Sequence, residues 1–242
     1  MPTRYVLAVG GTDSAETARE WAAAHAASDG VPLVTVHVDR PGQDLGPLVR
    51  DGMTTIKGES APDALARFVA DDDVLVIGSG KTGFIHSRVY GTRGLQIAAA
   101  VPCSVAVIPE VDLRFRSGVV AGIVDGDDAT RVVDAAAREA ASRAEPLLFV
   151  HSTFEGLIPG AVETEGPVLA RALATATARW PSLSIRSRTS ERRPAEALLD
   201  ASRNCALLVL GASARHALGS VAHDVLINLN APVLIVRRPQ RS

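Results

Sequence analysis

Two glycine-rich segments hold the residues whose types and spacing could do chemistry, and that chemistry is anion binding. The first runs Gly78-Ser79-Gly80-Lys81-Thr82-Gly83, passes His86 and ends in Gly91-Thr92 ahead of a helix-like stretch. Glycines bring the backbone close to a phosphate with its amides turned inward, and the helix start that follows adds a favourable dipole. Thr92 can donate a hydroxyl there, and Lys81 adds positive charge. The Gly80-Lys81-Thr82 triplet is no P-loop, because that motif needs another glycine at the position of Leu75, inside an apolar run. The second segment keeps Gly211 and the pair Gly219-Ser220, but only seven residues separate its two outer glycines where the first segment has twelve. Asp71, Asp72 and Asp73 precede an apolar run, so they fall at the opposite end of a sheet from the loop and cannot serve it as magnesium ligands. No catalytic group and no metal site is assigned.

The elements that must position these segments occur twice. Tyr5-Val6-Leu7-Ala8-Val9-Gly10-Gly11-Thr12-Asp13 returns as the run from Val119 to Asp127, each followed by an alanine-rich stretch. The apolar runs Val74–Gly78 and Leu207–Gly211 lead into the glycine segments, and the strands Val105–Ile108 and Val233–Val236 close each half. Aligning Gly91 with Gly219 also aligns Val105 with Val233, one offset of 128 residues. A repeat of that length is a whole domain. Two domains are therefore expected, over residues 1–112 and 117–242.

Continuous apolar runs alternating with helix-period segments predict an α/β fold, two tandem Rossmann-like domains with parallel sheets covered on both faces. The third strand of the second half is expected at Leu183–Arg186. In the first half, only Asp39 to Met53 is available for the crossover between strands two and three, so its helix must be small. Asp13 and Asp128 are expected to cap the first helix of each half. Ligands in such sheets bind beyond the carboxyl ends of the strands, where the strand order reverses. Both glycine segments start at such an end.

Composition narrows the function. Of 242 residues 47% are apolar and 21% charged, which is globular. A formal net charge of −2 argues against a dedicated nucleic-acid binder. No run of about 18 apolar residues is present, so no membrane span is expected. The two cysteines, Cys103 and Cys205, fall at non-equivalent places and read as buried thiols. A soluble cytoplasmic protein is expected.

The ordered pieces Ala8-Val9-Gly10-Gly11-Thr12, Val36-His37-Val38, Gly58 to Pro62, Val74–Gly78, Gly91-Thr92 and Pro102–Val107 resemble the universal stress protein family. The second half supplies Ile123-Val124-Asp125-Gly126, Phe149-Val150-His151, Pro194-Ala195-Glu196, Leu207–Gly211, Gly219-Ser220 and Pro232–Val236, so the chain looks like a tandem member. The resemblance implies five parallel strands per domain in the order 3-2-1-4-5. It implies a stress-response regulator that binds ATP or AMP, with any magnesium held only through the phosphates, and at most weak ATP hydrolysis. It also implies an edge-forming fifth strand, so that the two fifth strands of a tandem chain would pair with each other. A homodimer and unidentified protein partners stay open, as does a scaffold that binds no nucleotide.

Each copy departs from the family's binding pattern. The first keeps the loop, with candidate ligand residues Gly10, Thr12, Val38, Ile77, Gly78, Gly80, Lys81, Gly83, Gly91 and Thr92, but has Gly10 in place of the adenine-side aspartate. The second keeps Asp125, Gly211, Gly219 and Ser220 and lacks five residues of loop. A lost aspartate costs roughly 1–3 kcal/mol. A lost loop removes several charge-assisted backbone donors, each worth about 1.5–3 kcal/mol toward phosphate. The first site is therefore expected to bind and the second to be vestigial.

Overall fold

Short β-branched runs between helix-period segments form ten parallel-paired strands and seven helices among the described residues of the computed structural model. It describes residues 1–10, 16–39, 52–79, 92–126, 129–154, 166–212 and 218–238, with the backbone alone at 92, 93 and 166. Thr12, Asp13, Gly80, Lys81, Gly83, His86, Gly91 and Asp128 lie outside the described residues, as does most of the first crossover between strands two and three. Two compact units emerge. The first takes Met1–Val111 with Ala212–Gly219 and Arg237–Ser242, and the second takes Asp112–Gly211 with Ser220–Val236.

The first unit contains β1 (Tyr5–Val9), α1 (Glu16–Asp29), β2 (Leu33–Asp39), β3 (Thr54–Lys57), α2 (Ala61–Phe68), β4 (Val74–Gly78), α3 (Thr92–Ala100) and β5 (Ser104–Ile108). Its strands run β3-β2-β1-β4-β5, the order that the family resemblance implies. From β1 to β2 the chain moves one way across the sheet; from β3 to β4 and β5 it moves the other. Right-handed crossovers therefore put α1 on one face and α2 and α3 on the other. Tyr5 marks the α1 face, its ring 6.3 Å from Trp21 in an edge contact. Side chains alternate along a strand, so Leu7 and Val9 share that face while Val6, Ala8 and Gly10 point the other way. Helix α1 buries Ala18, Trp21, Ala22 and Ala26, a stripe at helical spacing. Helix α2 starts at Ser60, whose hydroxyl accepts from the Asp63 amide at 3.2 Å and donates to the Asp63 carboxylate at 2.6 Å. Gly58 precedes it because a Cβ there would lie 2.6 Å from the Cβ of Ala64.

The second unit contains β6 (Val119–Gly122), α4 (Ala129–Ser142), β7 (Leu147–Ser152), α5 (Gly166–Arg179), β8 (Ile185–Ser190), α6 (Pro194–Ala201), β9 (Leu207–Gly211), α7 (Ser220–Ile227) and β10 (Val233–Val236). Its order, β8-β7-β6-β9-β10, repeats that of the first unit. The third strand lies downstream of the expected Leu183–Arg186. Leu183 instead closes a turn on Trp180 (3.1 Å), and β8 pairs Ile185 with Leu147 and Ser190 with Ser152. The reason is its place at the sheet's edge. Residues 186–189 are exposed, so the strand needs no apolar run to mark it. Core burial is complete at Leu7, Leu75, Phe149, Leu207 and Ile235, each contributing about 1.5–3 kcal/mol.

Candidate functional site

In the first unit the strand order reverses between β1 and β4. Ala8 pairs with Ile77 across that boundary, and Val9 pairs with His37 on the other side. Ile77 therefore shares the face of Ala8 and Gly10. On β2, Val36 pairs with Ala8, which sets Val38 on the same face one pleat farther along. Gly10 is exposed, and a Cβ built on it meets no atom within 4 Å. Val38 and Ile77, 8% and 4% exposed, flank that opening from either side. This is the face covered by α2 and α3, which pack against each other. Three residues singled out from sequence thus meet at one opening, on the face where α3 begins at Thr92. Gly78 ends β4 beside them, opposite Ile108 on β5, and the next amide, Ser79, donates to the Ile108 carbonyl at 2.8 Å.

His37 plays another part. It shares the α1 face with Val9 and donates Nδ1–H to the Val9 carbonyl at 3.0 Å. His37 is 3% exposed, and its buried Nε2 has no hydrogen-bond partner among the described residues. It is thus a structural histidine, tying the end of β1 to β2. The three aspartates before β4 lie at the amino ends of the strands, as expected. Asp73 there accepts from Arg4 Nε at 3.0 Å, Arg4 Nη2 at 2.9 Å and the Ala70 amide at 2.8 Å. That hydrogen bond raises the Arg4 pKa further.

The second unit repeats the histidine tie. His151 donates Nδ1–H to Ile123 at 2.8 Å, with the same 28-residue separation as His37 and Val9. This register makes Val124, not Asp125, the counterpart of Gly10, and Asp125 the counterpart of Gly11. Val124 is 61% exposed and stands where the first unit leaves space. Asp125 Oδ1 accepts from the Gly126 amide at 3.1 Å and from Arg171 Nη1 of α5 at 3.2 Å. Helix α5 packs with α4, whereas α7 packs with α6. These two helix pairs cover opposite faces. A Cβ on Gly122 would meet Leu198 of α6 at 3.1 Å, and one on Gly211 would meet Val132 of α4 at 3.2 Å. Asp125 is therefore turned away from the face on which Gly219 and Ser220 start α7. Gly211 serves close packing of α4 on β9.

Arg171 escaped sequence reasoning, since 46 residues separate it from Asp125 and no motif links them. Glu110, just past β5, was also not a candidate; its carboxylate accepts from Thr17 Oγ1 at 3.1 Å on the α1 face. Among the described residues, no group of three or more His, Cys, Asp or Glu side chains could hold a metal ion, and no helix is long and apolar enough to cross a membrane.

The comparisons with known proteins agree with this architecture. A family model described as the universal stress protein family matches residues 118–237. A universal stress protein of Mycobacterium tuberculosis is 25% identical over 284 aligned positions, covering 96% of each chain. One from Mycolicibacterium smegmatis is 27% identical over 288 positions, covering 97% of this chain and 98% of the relative. Among solved structures, a universal stress protein from Archaeoglobus fulgidus superposes with a TM-score of 0.73 at 12% identity, over 99% of this chain and 98% of that one. The chain belongs to the universal stress protein family.

Proposed function

We propose that the first domain binds an adenine nucleotide, ATP or AMP, as a regulatory ligand in a stress response, and that the second domain keeps a closed, vestigial copy of the site. The observation that carries this reading is the opening at Gly10, flanked by Val38 and Ile77 on the face of α3. A flat base fits an apolar opening at the point where strand order reverses, and the helix start after Gly91 suits an anionic group. The equivalent place in the second domain holds Val124, and its aspartate is engaged by Arg171. The described residues that flank the opening carry no acid or base, which favours binding over turnover. Any magnesium ion would arrive with the nucleotide's phosphates.

The test is calorimetric titration of the intact chain with ATP and AMP, in wild type and Gly10→Val. The backbone at Gly10 is not in the left-handed region, and Val124 occupies the equivalent position in the second domain, so the substitution keeps the fold. Binding by wild type and a loss of at least about tenfold in Gly10→Val is expected, from a filled opening. No heat from wild type at millimolar nucleotide, or unchanged binding in the variant, rejects the proposal.

A second reading rests on the second domain. Val124 and Phe154 are 61% and 44% exposed at the carboxyl ends of its strands. They favour a module that contacts proteins without nucleotide. That reading predicts unchanged partner binding in Gly10→Val.

A further inference from the structure

Helix α3 ends in an unusual way. The carbonyl of Ala98 should accept from the amide four residues on, but that residue is Pro102, which has no N–H. The ladder stops one bond earlier, with the Val101 amide on Ile97 at 3.2 Å. Ala98 is fully buried, so water cannot take the place of the missing proton. Arg237, which the first unit includes, fills the gap. Its Nη2 donates to the Ala98 carbonyl at 2.6 Å, and its backbone amide donates to Ser104 Oγ at the start of β5 at 3.1 Å.

The guanidinium of an arginine that is only 5% exposed is expensive to desolvate, and burial lowers its pKa. Such a group is retained where its hydrogen bonds have no substitute. Here the bond goes to the negative end of a helix dipole, where a cation is stabilising. Its opposite end, at Thr92, begins the turn that the first domain would offer to phosphate.

We infer that Arg237 is a positioning residue for α3, replacing the amide proton that Pro102 lacks and thereby holding the helix whose N-terminus receives the anion. The ligand half of this inference rests on the nucleotide reading above; the capping half does not. Arg237 touches no ligand. It acts through the helix.

The experiment combines amide hydrogen exchange of the ligand-free chain with AMP calorimetry, in wild type, Arg237→Met, Arg237→Lys and the double variant Arg237→Met/Pro102→Ala. Arg237→Met should speed exchange in the last turn of α3 and weaken AMP binding roughly three- to tenfold, the range of a helix-end charge. Arg237→Lys keeps a cationic donor and should recover most of both. Pro102→Ala returns an amide proton to position 102, so the double variant should recover α3 protection without any cation, a rescue that mere loss of packing would not permit. If Arg237→Met leaves exchange or affinity unchanged while wild type binds AMP, the inference is overturned; so too if the double variant shows no recovery. Absence of AMP binding by wild type would instead overturn the nucleotide reading and the ligand half with it, leaving exchange to decide the cap.

Discussion

His37 donates its Nδ1 proton to the carbonyl of Val9 at 3.0 Å, across the ends of two neighbouring parallel strands. That carbonyl lies at the end of β1, on the last rung of its ladder with β2. The bond fixes the imidazole tautomer and sets the level at which β1 ends, and so the place of Gly10. Replacing His37 with Ala removes a second, part-buried bond to a carbonyl that the β2 ladder also engages, and should destabilise the first domain by roughly 0.5–1.5 kcal/mol. Urea denaturation followed separately in each domain measures it; a loss under about 0.5 kcal/mol would show that the tie is dispensable.

The two copies of the site make a reciprocal prediction. If Val124 alone blocked the second domain, Val124→Gly would open it. Asp125 is held by Arg171 and turned toward α5, and the segment between Gly211 and Gly219 is short. Val124→Gly should therefore create no second binding event in a calorimetric titration. A stoichiometry rising from one to two would show that a single side chain closes the site.

Arg4 and Asp73 form the fork that seals the amino ends of β1 and β4, with the Asp73 side chain 1% exposed. Arg4→Met leaves that carboxylate buried without its cation. The expected loss is about 3–5 kcal/mol, the penalty for breaking one side of a buried pair. The pair of Arg171 and Asp125, 65% and 54% exposed at the side chains, should contribute no more than about 1 kcal/mol, falling with salt. Denaturation midpoints at low and high ionic strength separate the two cases.

Burial pushes both thiols, Cys103 and Cys205, up to about 12 from an ordinary 9.0. Their folded-state values are raised, so the unfolded chain loses these protons first. The stabilisation is complete below about pH 9 and is lost as pH climbs toward 12. Within that window each thiol adds a slope of about 1.4 kcal/mol per pH unit. Stability measured against pH in wild type and Cys103→Ala/Cys205→Ala should differ in slope there. Parallel curves would mean that the thiols ionise normally. Neither thiol should react with an alkylating reagent at pH 8 until the chain unfolds.

The duplication and the α/β class were legible because each depends on local pattern: apolar runs at strand length, helix-period stretches between them, and glycines where the chain must turn. The strand order came from the family resemblance. The candidates Gly10, Val38 and Ile77 follow from the family resemblance, together with the rule that ligands bind beyond the carboxyl ends of strands. The displaced β8 was not legible, because an edge strand with an exposed face carries Arg186, Ser187, Arg188 and Thr189 and leaves no apolar signal.

What only the tertiary structure decided was direction. Sequence placed Asp125 beside Gly219 and Ser220 as parts of one site, whereas the paired faces of the sheet turn them apart and give the carboxylate to Arg171. Sequence shows Pro102 but not the group it leaves unpaired; the fold made it a missing proton, which Arg237 supplies from 139 residues beyond the Ala98 acceptor. Local pattern fixes which residues end a strand or helix. Which side chain answers an unpaired group there depends on what crossover handedness and packing bring within hydrogen-bond reach, and no spacing in the chain encodes that.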